Sequence, residues 1–278
     1  MIDQVDRLIA LALEEDLGSA GDVTSQALVP ADQQGRAEFL AKEPLVLAGT
    51  DVVRRVFRAV DPSITVTFSV SDGASIRDRQ VFGTVTGPLR AILIGERTAL
   101  NFLQRLSGVA TNTARTVQAL EGTRLKVLDT RKTTPGWRVL EKAAVRAGGG
   151  TNHRFGLFDG VLIKDNHLAA VGSIGEAVRR ARAAVHHLMK VEVEVVDLKG
   201  VDEALAAGAD ALLLDNMDTP TMKKAVEKIA GRAKTEASGG IKLERLPEIA
   251  GAGVDFVSMG ALTHSSRGVD ISLEVQAA

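Results

Sequence analysis

The chain has 278 residues, a formal net charge of −1, 45% hydrophobic and 25% charged residues, and no cysteine. That balance is ordinary for a globular protein long enough to bury one large domain and a smaller one. It excludes a molecule-wide field that would recruit nucleic acid or an acidic membrane, and it excludes disulfides, thiolate metal sites and a cysteine nucleophile.

The chain opens on a predicted helix, since Val5, Leu8, Ile9 and Ala12 recur at helical spacing. Asp3, Asp6, Glu14, Glu15 and Asp16 in the same stretch are wrong for a signal or transit peptide, and no apolar run approaches the roughly 18 residues of a membrane span. A cytoplasmic protein with no membrane partner is expected. Thr50 is placed to cap a helix that buries Val52, Val53, Val56, Phe57 and Val60. Ile64, Val66, Phe68 and Val70 then alternate with polar residues as in a half-buried strand. Asp72-Gly73 reads as a turn, and Val81 to Thr86 as a return strand ending at Gly87-Pro88. A helix over 96–115, with Ala99, Leu103, Leu106 and Ala110 on one face, leads out of this α+β region.

From Leu125 onward short apolar strands alternate with amphipathic helices. The strands are expected at Val127-Leu128, 161–163, 191–195, 212–214, 235–237 and 256–258, and the helices at 139–147, 173–188, 202–207 and 221–229. Repeated βα units imply a parallel sheet. Six are too few for a full eight-stranded barrel, so an open α/β barrel is predicted, with a doubly wound sheet as the competing architecture. The expected division is an N-terminal α+β sandwich over 1–107 and a barrel over 108–265, with the tail 266–278 returning to the first domain.

The strand ends carry the chemistry. Asp129-Thr130-Arg131-Lys132 follows the first strand and Lys164-Asp165-Asn166-His167 the second; Glu192 and Glu194 lie in the third. Asp215-Asn216, Ser238-Gly239-Gly240 and Gly260 follow the remaining three. In α/β barrels that rim is where loops converge on one mouth. Arg131, Lys132 and Lys164 abut apolar strands, where a cation needs an anionic partner, either an internal carboxylate or a substrate carboxylate or phosphate. Arg138, Lys142 and Arg146, at i, i+4 and i+8, read as one solvated helix face. His153 beside Arg154, after three glycines, belongs to the same mouth; His186 and His187 read as solvated. The glycines after the fifth and sixth strands suit a phosphate cradle built from backbone N–H groups. Glu194 and Asp215 are open to three uses: internal ion pairs, ribose hydroxyl contacts, or sharing Mg²⁺ with substrate phosphates.

At these residues the chain resembles the quinolinate phosphoribosyltransferases, the carboxylating nicotinate-nucleotide pyrophosphorylases of NAD biosynthesis. The resemblance rests on Glu96-Arg97-Thr98-Ala99-Leu100-Asn101, Asp129 to Gly136, Asn152-His153-Arg154, Leu162 to His167, Val193-Glu194-Val195, Leu214-Asp215-Asn216 and Ser238-Gly239-Gly240. It implies an enzyme that joins quinolinate to phosphoribosyl pyrophosphate with Mg²⁺, giving nicotinate mononucleotide, pyrophosphate and CO₂. By that resemblance Arg131, His153, Arg154 and Lys164 grip the quinolinate carboxylates, with Thr130 among the substrate contacts. Lys132 serves the pyrophosphate, and Arg97 reaches in from a second subunit of a homodimer with shared active sites. Lys132, Glu194 and Asp215 form the catalytic set, while Ser238, Gly239, Gly240, Met259, Gly260 and Ala261 take the 5′-phosphate. The metal is expected mainly on the substrate pyrophosphate. A paralogue acting on another anionic aromatic compound and a non-catalytic metabolite-binding protein remain as alternatives.

Overall fold

The computed structural model describes residues 3–276. In chain order the elements are α1 (Gln4–Leu17), α2 (Val23–Leu28), β1 (Gln34–Ala41), β2 (Leu45–Val46), α3 (Thr50–Val60), β3 (Thr65–Phe68), β4 (Ser75–Ile76), β5 (Val81–Pro88) and α4 (Leu89–Gln118). There follow β6 (Lys126–Leu128), α5 (Arg138–Ala147), β7 (Val161–Ile163), α6 (Asp165–Val171), α7 (Ile174–Ala184), β8 (Val191–Val195), α8 (Leu198–Ala206) and β9 (Ala211–Asp215). The chain ends with α9 (Thr219–Ile229), β10 (Lys234–Ser238), α10 (Leu246–Gly251), β11 (Phe256–Ser258), α11 (Ala261–His264) and β12 (Ile271–Val275). None of the described helices is long and apolar enough to cross a membrane.

Two compact units result: 1–114 with 133–149 and 262–278, and 115–132 with 150–261. The first is built on a four-stranded antiparallel sheet in the order β12-β1-β5-β3. Phe39, Phe68 and Phe82 stack with ring centroids 5.1 to 6.2 Å apart. Val52, Val53, Val56 and Phe57 of α3 are buried as their spacing requires. Thr50 is not the cap, however. Gly49 precedes the helix, and the Asp72 carboxylate accepts from the Gly49 and Thr50 N–H groups at 2.8 and 3.2 Å. A residue of the distant turn thus satisfies donors that a local side chain was expected to hold. Helix α4 begins at Leu89 rather than Glu96, and Ala99, Leu103, Leu106 and Ala110 are buried on it.

Helix α5 corrects the solvated-face reading at Lys142, while Arg138 is half-buried and Arg146 stays exposed. Lys142 is buried, and beside it Glu141 is fully buried, accepting from Arg105 Nη2 at 2.8 Å and from the Thr134 hydroxyl at 3.0 Å. Helical spacing shows which residues share a face but not what covers that face. Helix α7 also stops at Ala184, four residues short of expectation.

The second unit holds a six-stranded parallel sheet in the order β6-β11-β10-β9-β8-β7. From β7 to β11 each strand lies beside its successor, which a doubly wound sheet does not do. Thr151 bridges Leu128 on the other edge of β6, and the barrel stays open. The strands are short, three to five residues, so residues just past their C-terminal ends are soon at the rim.

Candidate active site

The parallel strands deliver the predicted cations within the second unit. Past β6, Thr130 Oγ1 accepts from the Lys132 N–H at 3.0 Å, which fixes the turn that exposes Arg131 and Lys132. Past β7, Lys164 is the residue before α6. Its Nζ lies 3.0 Å from Glu194 Oε2 on the neighbouring strand β8. Glu192 and Glu194 face the same side of β8, since the valines that alternate with them are buried.

Beneath that pair lies a cluster the sequence reading did not assemble. Asp129 is fully buried and accepts from Asn152 Nδ2 at 2.5 Å and from the His153 N–H at 2.8 Å. His153 Nδ1 accepts from the Arg154 N–H at 2.7 Å. Its Nε2 lies 3.1 Å from Glu192 Oε2 and 3.5 Å from Glu236 Oε2. Both ring nitrogens of His153 are therefore engaged within the protein. Arg154, part-buried, donates from Nη1 to the Gly160 carbonyl at 2.8 Å. Burial lowers its guanidinium pKa, and the Arg131 charge lowers it further, against Glu192 and Asp159. A part-buried guanidinium beside an exposed one of like charge favours an anion at that place.

Glu236 is 3% exposed, and its Oε1 has no hydrogen-bond partner. Burial and then the Glu192 charge push its carboxyl up to about 7, against His153, the Ser258 hydroxyl and Lys164. Glu192 and Glu236 lie inside strands rather than past their ends, so position alone does not mark them as site residues. The available signal is an acid inside a strand of a parallel sheet, where a charge is costly without a task.

Past β9, Asn216 has a left-handed backbone (φ 54°), and its Nδ2 donates to Asp215 Oδ2 at 2.6 Å. Its N–H donates to the Ser238 carbonyl at 3.0 Å, tying the β9 and β10 loops together. Gly239, at φ +96°, packs so closely that a Cβ would come within 2.2 Å of Asn216 Oδ1. Past β11, the Met259 N–H donates to the Leu128 carbonyl at 3.0 Å, and Gly260 and Ala261 follow. Ser238 ends β10, and Gly239, Gly240, Met259, Gly260 and Ala261 lie just past the ends of the adjacent strands β10 and β11. Arg97 belongs to the other unit, exposed on α4, where it lines a cavity of about 350 Å³ with Glu15, Asp16, Asn101 and Trp137.

Comparison with known proteins agrees along the whole chain. Residues 22–107 match the N-terminal domain and residues 109–274 the C-terminal domain of quinolinate phosphoribosyl transferase. A relative from Bacillus subtilis named as a probable carboxylating nicotinate-nucleotide pyrophosphorylase is 45% identical over 98% of this chain and 93% of its own length. The structure of NadC from Streptococcus pyogenes superposes with a TM-score of 0.94 at 43% identity, covering 98% of this chain and 96% of that one. The nicotinate-nucleotide pyrophosphorylase of Francisella tularensis does so with a TM-score of 0.93 at 40% identity, covering 99% and 97%. Both domain models, a full-length relative and the superposed structures converge on one conclusion: the chain belongs to the quinolinate phosphoribosyl transferase family.

Proposed function

We propose that the chain converts quinolinate and phosphoribosyl pyrophosphate into nicotinate mononucleotide, pyrophosphate and CO₂ in the synthesis of NAD. The carrying observation is Arg154, a part-buried guanidinium whose charged form is disfavoured by dehydration and by Arg131, which a dianionic ligand would relieve. Arg131, Arg154 and Lys164 bind the ring carboxylates, Lys132 the pyrophosphate, and Thr130 stiffens the turn that carries two of these cations. Glu194 and Asp215 orient the ribose hydroxyls; their negative charge favours the cationic character that develops at the anomeric carbon as pyrophosphate leaves. No covalent nucleophile is needed, because holding ring nitrogen and anomeric carbon together supplies much of the rate.

Ser238, Gly239, Gly240, Met259, Gly260 and Ala261 cradle the 5′-phosphate. The tight fit at Gly239 makes this testable. Gly239→Ala is expected to weaken phosphoribosyl pyrophosphate binding by about 1–3 kcal/mol, the usual cost of such backbone strain, and to leave quinolinate binding nearly unchanged in calorimetric titrations. Equal losses for both ligands would overturn this placement.

Mg²⁺ is proposed to arrive on the pyrophosphate. Among the described residues, the single group of three metal-capable side chains is His153, Glu192 and Glu236, which includes an imidazole. Mg²⁺ prefers oxygen ligands and keeps several waters or phosphate oxygens, so the residues fit a substrate-borne ion rather than a dedicated cage. Bound there, it neutralises charge on the leaving pyrophosphate. We further assign a homodimer in which Arg97 completes the partner's site, and a cytoplasmic location in keeping with the absence of cysteine. The direct test is release of CO₂ and nicotinate mononucleotide from quinolinate plus phosphoribosyl pyrophosphate. Neither product appearing with the folded protein would overturn the reaction.

A further inference from the structure

The reaction replaces a carboxylate at C2 of the pyridine ring by hydrogen, and that hydrogen must come from somewhere. We propose that Glu192 and Glu236, bridged by His153, share one proton and deliver it to C2 after CO₂ departs, with Glu192 as the member that reaches the ring. This rests on the reaction proposed above.

The geometry comes first. The ligand-type atoms of His153, Glu192 and Glu236 lie within 4.8 Å of one another. Two acids this close, one of them buried, cannot both ionise cheaply, so a proton is held by the pair rather than by either member. Of the two, Glu192 retains partial exposure (12% of its side chain) and Glu236 nearly none (3%). Glu236 therefore keeps the proton in the pair, and Glu192 presents it.

A metal ion is the competing occupant, and the imidazole argues against it. Nδ1 accepts from the Arg154 N–H, so it carries a lone pair, and a neutral ring must carry its hydrogen on Nε2. That hydrogen points at the two carboxylates, and the nitrogen has no lone pair left for a cation. His153 is accordingly a positioning residue. It holds the carboxylates with Nε2 and the Arg154 backbone with Nδ1, beside the cations assigned to the ring carboxylates.

The charged groups facing the pair come from each neighbouring element. His153 and Arg154 precede β7, Lys164 follows it, and Ser258 lies on β11. Burial and then the Glu192 charge push the Glu236 carboxyl up to about 7, against His153, the Ser258 hydroxyl and Lys164, so the proton is present on the acid side of neutrality and lost above it. A dianionic substrate adds like charge nearby and raises the value further, which keeps the donor loaded while the ring is bound.

The step balances. The bond between C2 and the carboxylate carbon breaks, and its electron pair stays on C2, stabilised by the adjacent quaternised nitrogen. The carbon leaves as CO₂. The O–H proton of the acid pair forms the new C2–H bond, leaving two carboxylates, and solvent restores the proton before the next turnover.

The experiment is a single turnover with the full-length protein, quinolinate and phosphoribosyl pyrophosphate, following pyrophosphate and nicotinate mononucleotide separately. Glu192→Gln is expected to slow nicotinate mononucleotide formation by on the order of 10²-fold relative to pyrophosphate release in the same variant, the usual contribution of a positioned acid. In Glu236→Gln the like charge beside Glu192 is gone, so the falling limb of the pH profile moves to lower pH; a merely structural role would not move it in that direction. In the unaltered protein the nucleotide-forming step should slow as pH rises through neutrality. A rate level across neutrality, or a Glu192→Gln protein with both products at normal rates, overturns the proton assignment even if Glu236→Gln fails to fold. Absence of pyrophosphate release from the unaltered protein would instead overturn the reaction itself.

Discussion

Nicotinate offered in place of quinolinate is expected to react with a kcat/KM lower by on the order of 10³-fold, about 4 kcal/mol at roughly 1.4 kcal/mol per decade. The reason lies in the state of the cations before any ligand arrives. Arg154 is part-buried, and both its dehydration and the nearby Arg131 already disfavour its charge. Lys164 has a carboxylate partner in Glu194 at 3.0 Å, and Glu192 lies close enough to support Arg154. A ligand with two carboxylates compensates the mutual repulsion of this cluster, whereas a ligand with one leaves part of it uncompensated. Removing one of two charge-assisted contacts to a part-buried guanidinium costs more than the lost contact alone. The discrimination should appear mainly against binding and the first chemical step. Steady-state assays with each acid at saturating phosphoribosyl pyrophosphate check it. Similar kcat/KM values for the two acids would mean that Arg131, Arg154 and Lys164 are not arranged around two carboxylates.

The parallel half of the fold was legible because its strands are continuous apolar runs followed at once by charged or glycine residues, as at Leu212 to Asp215. The antiparallel half was only partly legible. Strand β1 alternates buried Ala37, Phe39 and Ala41 with more exposed Arg36, Glu38 and Leu40. That period-two signal is weak, because two of its three buried residues are alanines and Leu40 stands on the more exposed face. The start of α4 was hidden by Ile92, Leu93 and Ile94 followed by Gly95, a run that local propensity assigns to a strand or a break. Gly95 is tolerated there because its bare face lies against the Phe57 ring, 2.8 Å from where a Cβ would stand. Tertiary packing decides that helix. At the site, residues at strand ends could be read by position alone. The inner cluster could not, because which acids meet His153 depends on strand order and stagger, and nothing local in the sequence encodes that Glu192 and Glu236, two strands apart, converge.

The largest expected effect concerns the assembly. Arg97→Ala and Lys132→Ala are each expected to be nearly inactive as pure dimers, and a mixture of the two should regain activity. Lys132 lies past β6 in the parallel unit, and Arg97 lies on α4 in the antiparallel unit. If Arg97 completes the partner's site, a mixed dimer contains one site with both cations intact and one site lacking both. Random exchange makes about half of the dimers mixed, so recovered activity approaches roughly a quarter of the unaltered protein, as two-fold symmetry dictates. The other reading of Arg97 is an exposed helix arginine held in its own subunit, beside Glu15 and Asp16 in the cavity it lines. In that case each subunit of a mixed dimer carries its own defect, and no mixture recovers anything. Subunit exchange must be verified independently, for instance by native mass spectrometry of subunits carrying distinct mass labels. No recovery once exchange is established would remove Arg97 from the partner's site, whereas recovery near a quarter fixes both the dimer and the crossing of its active sites.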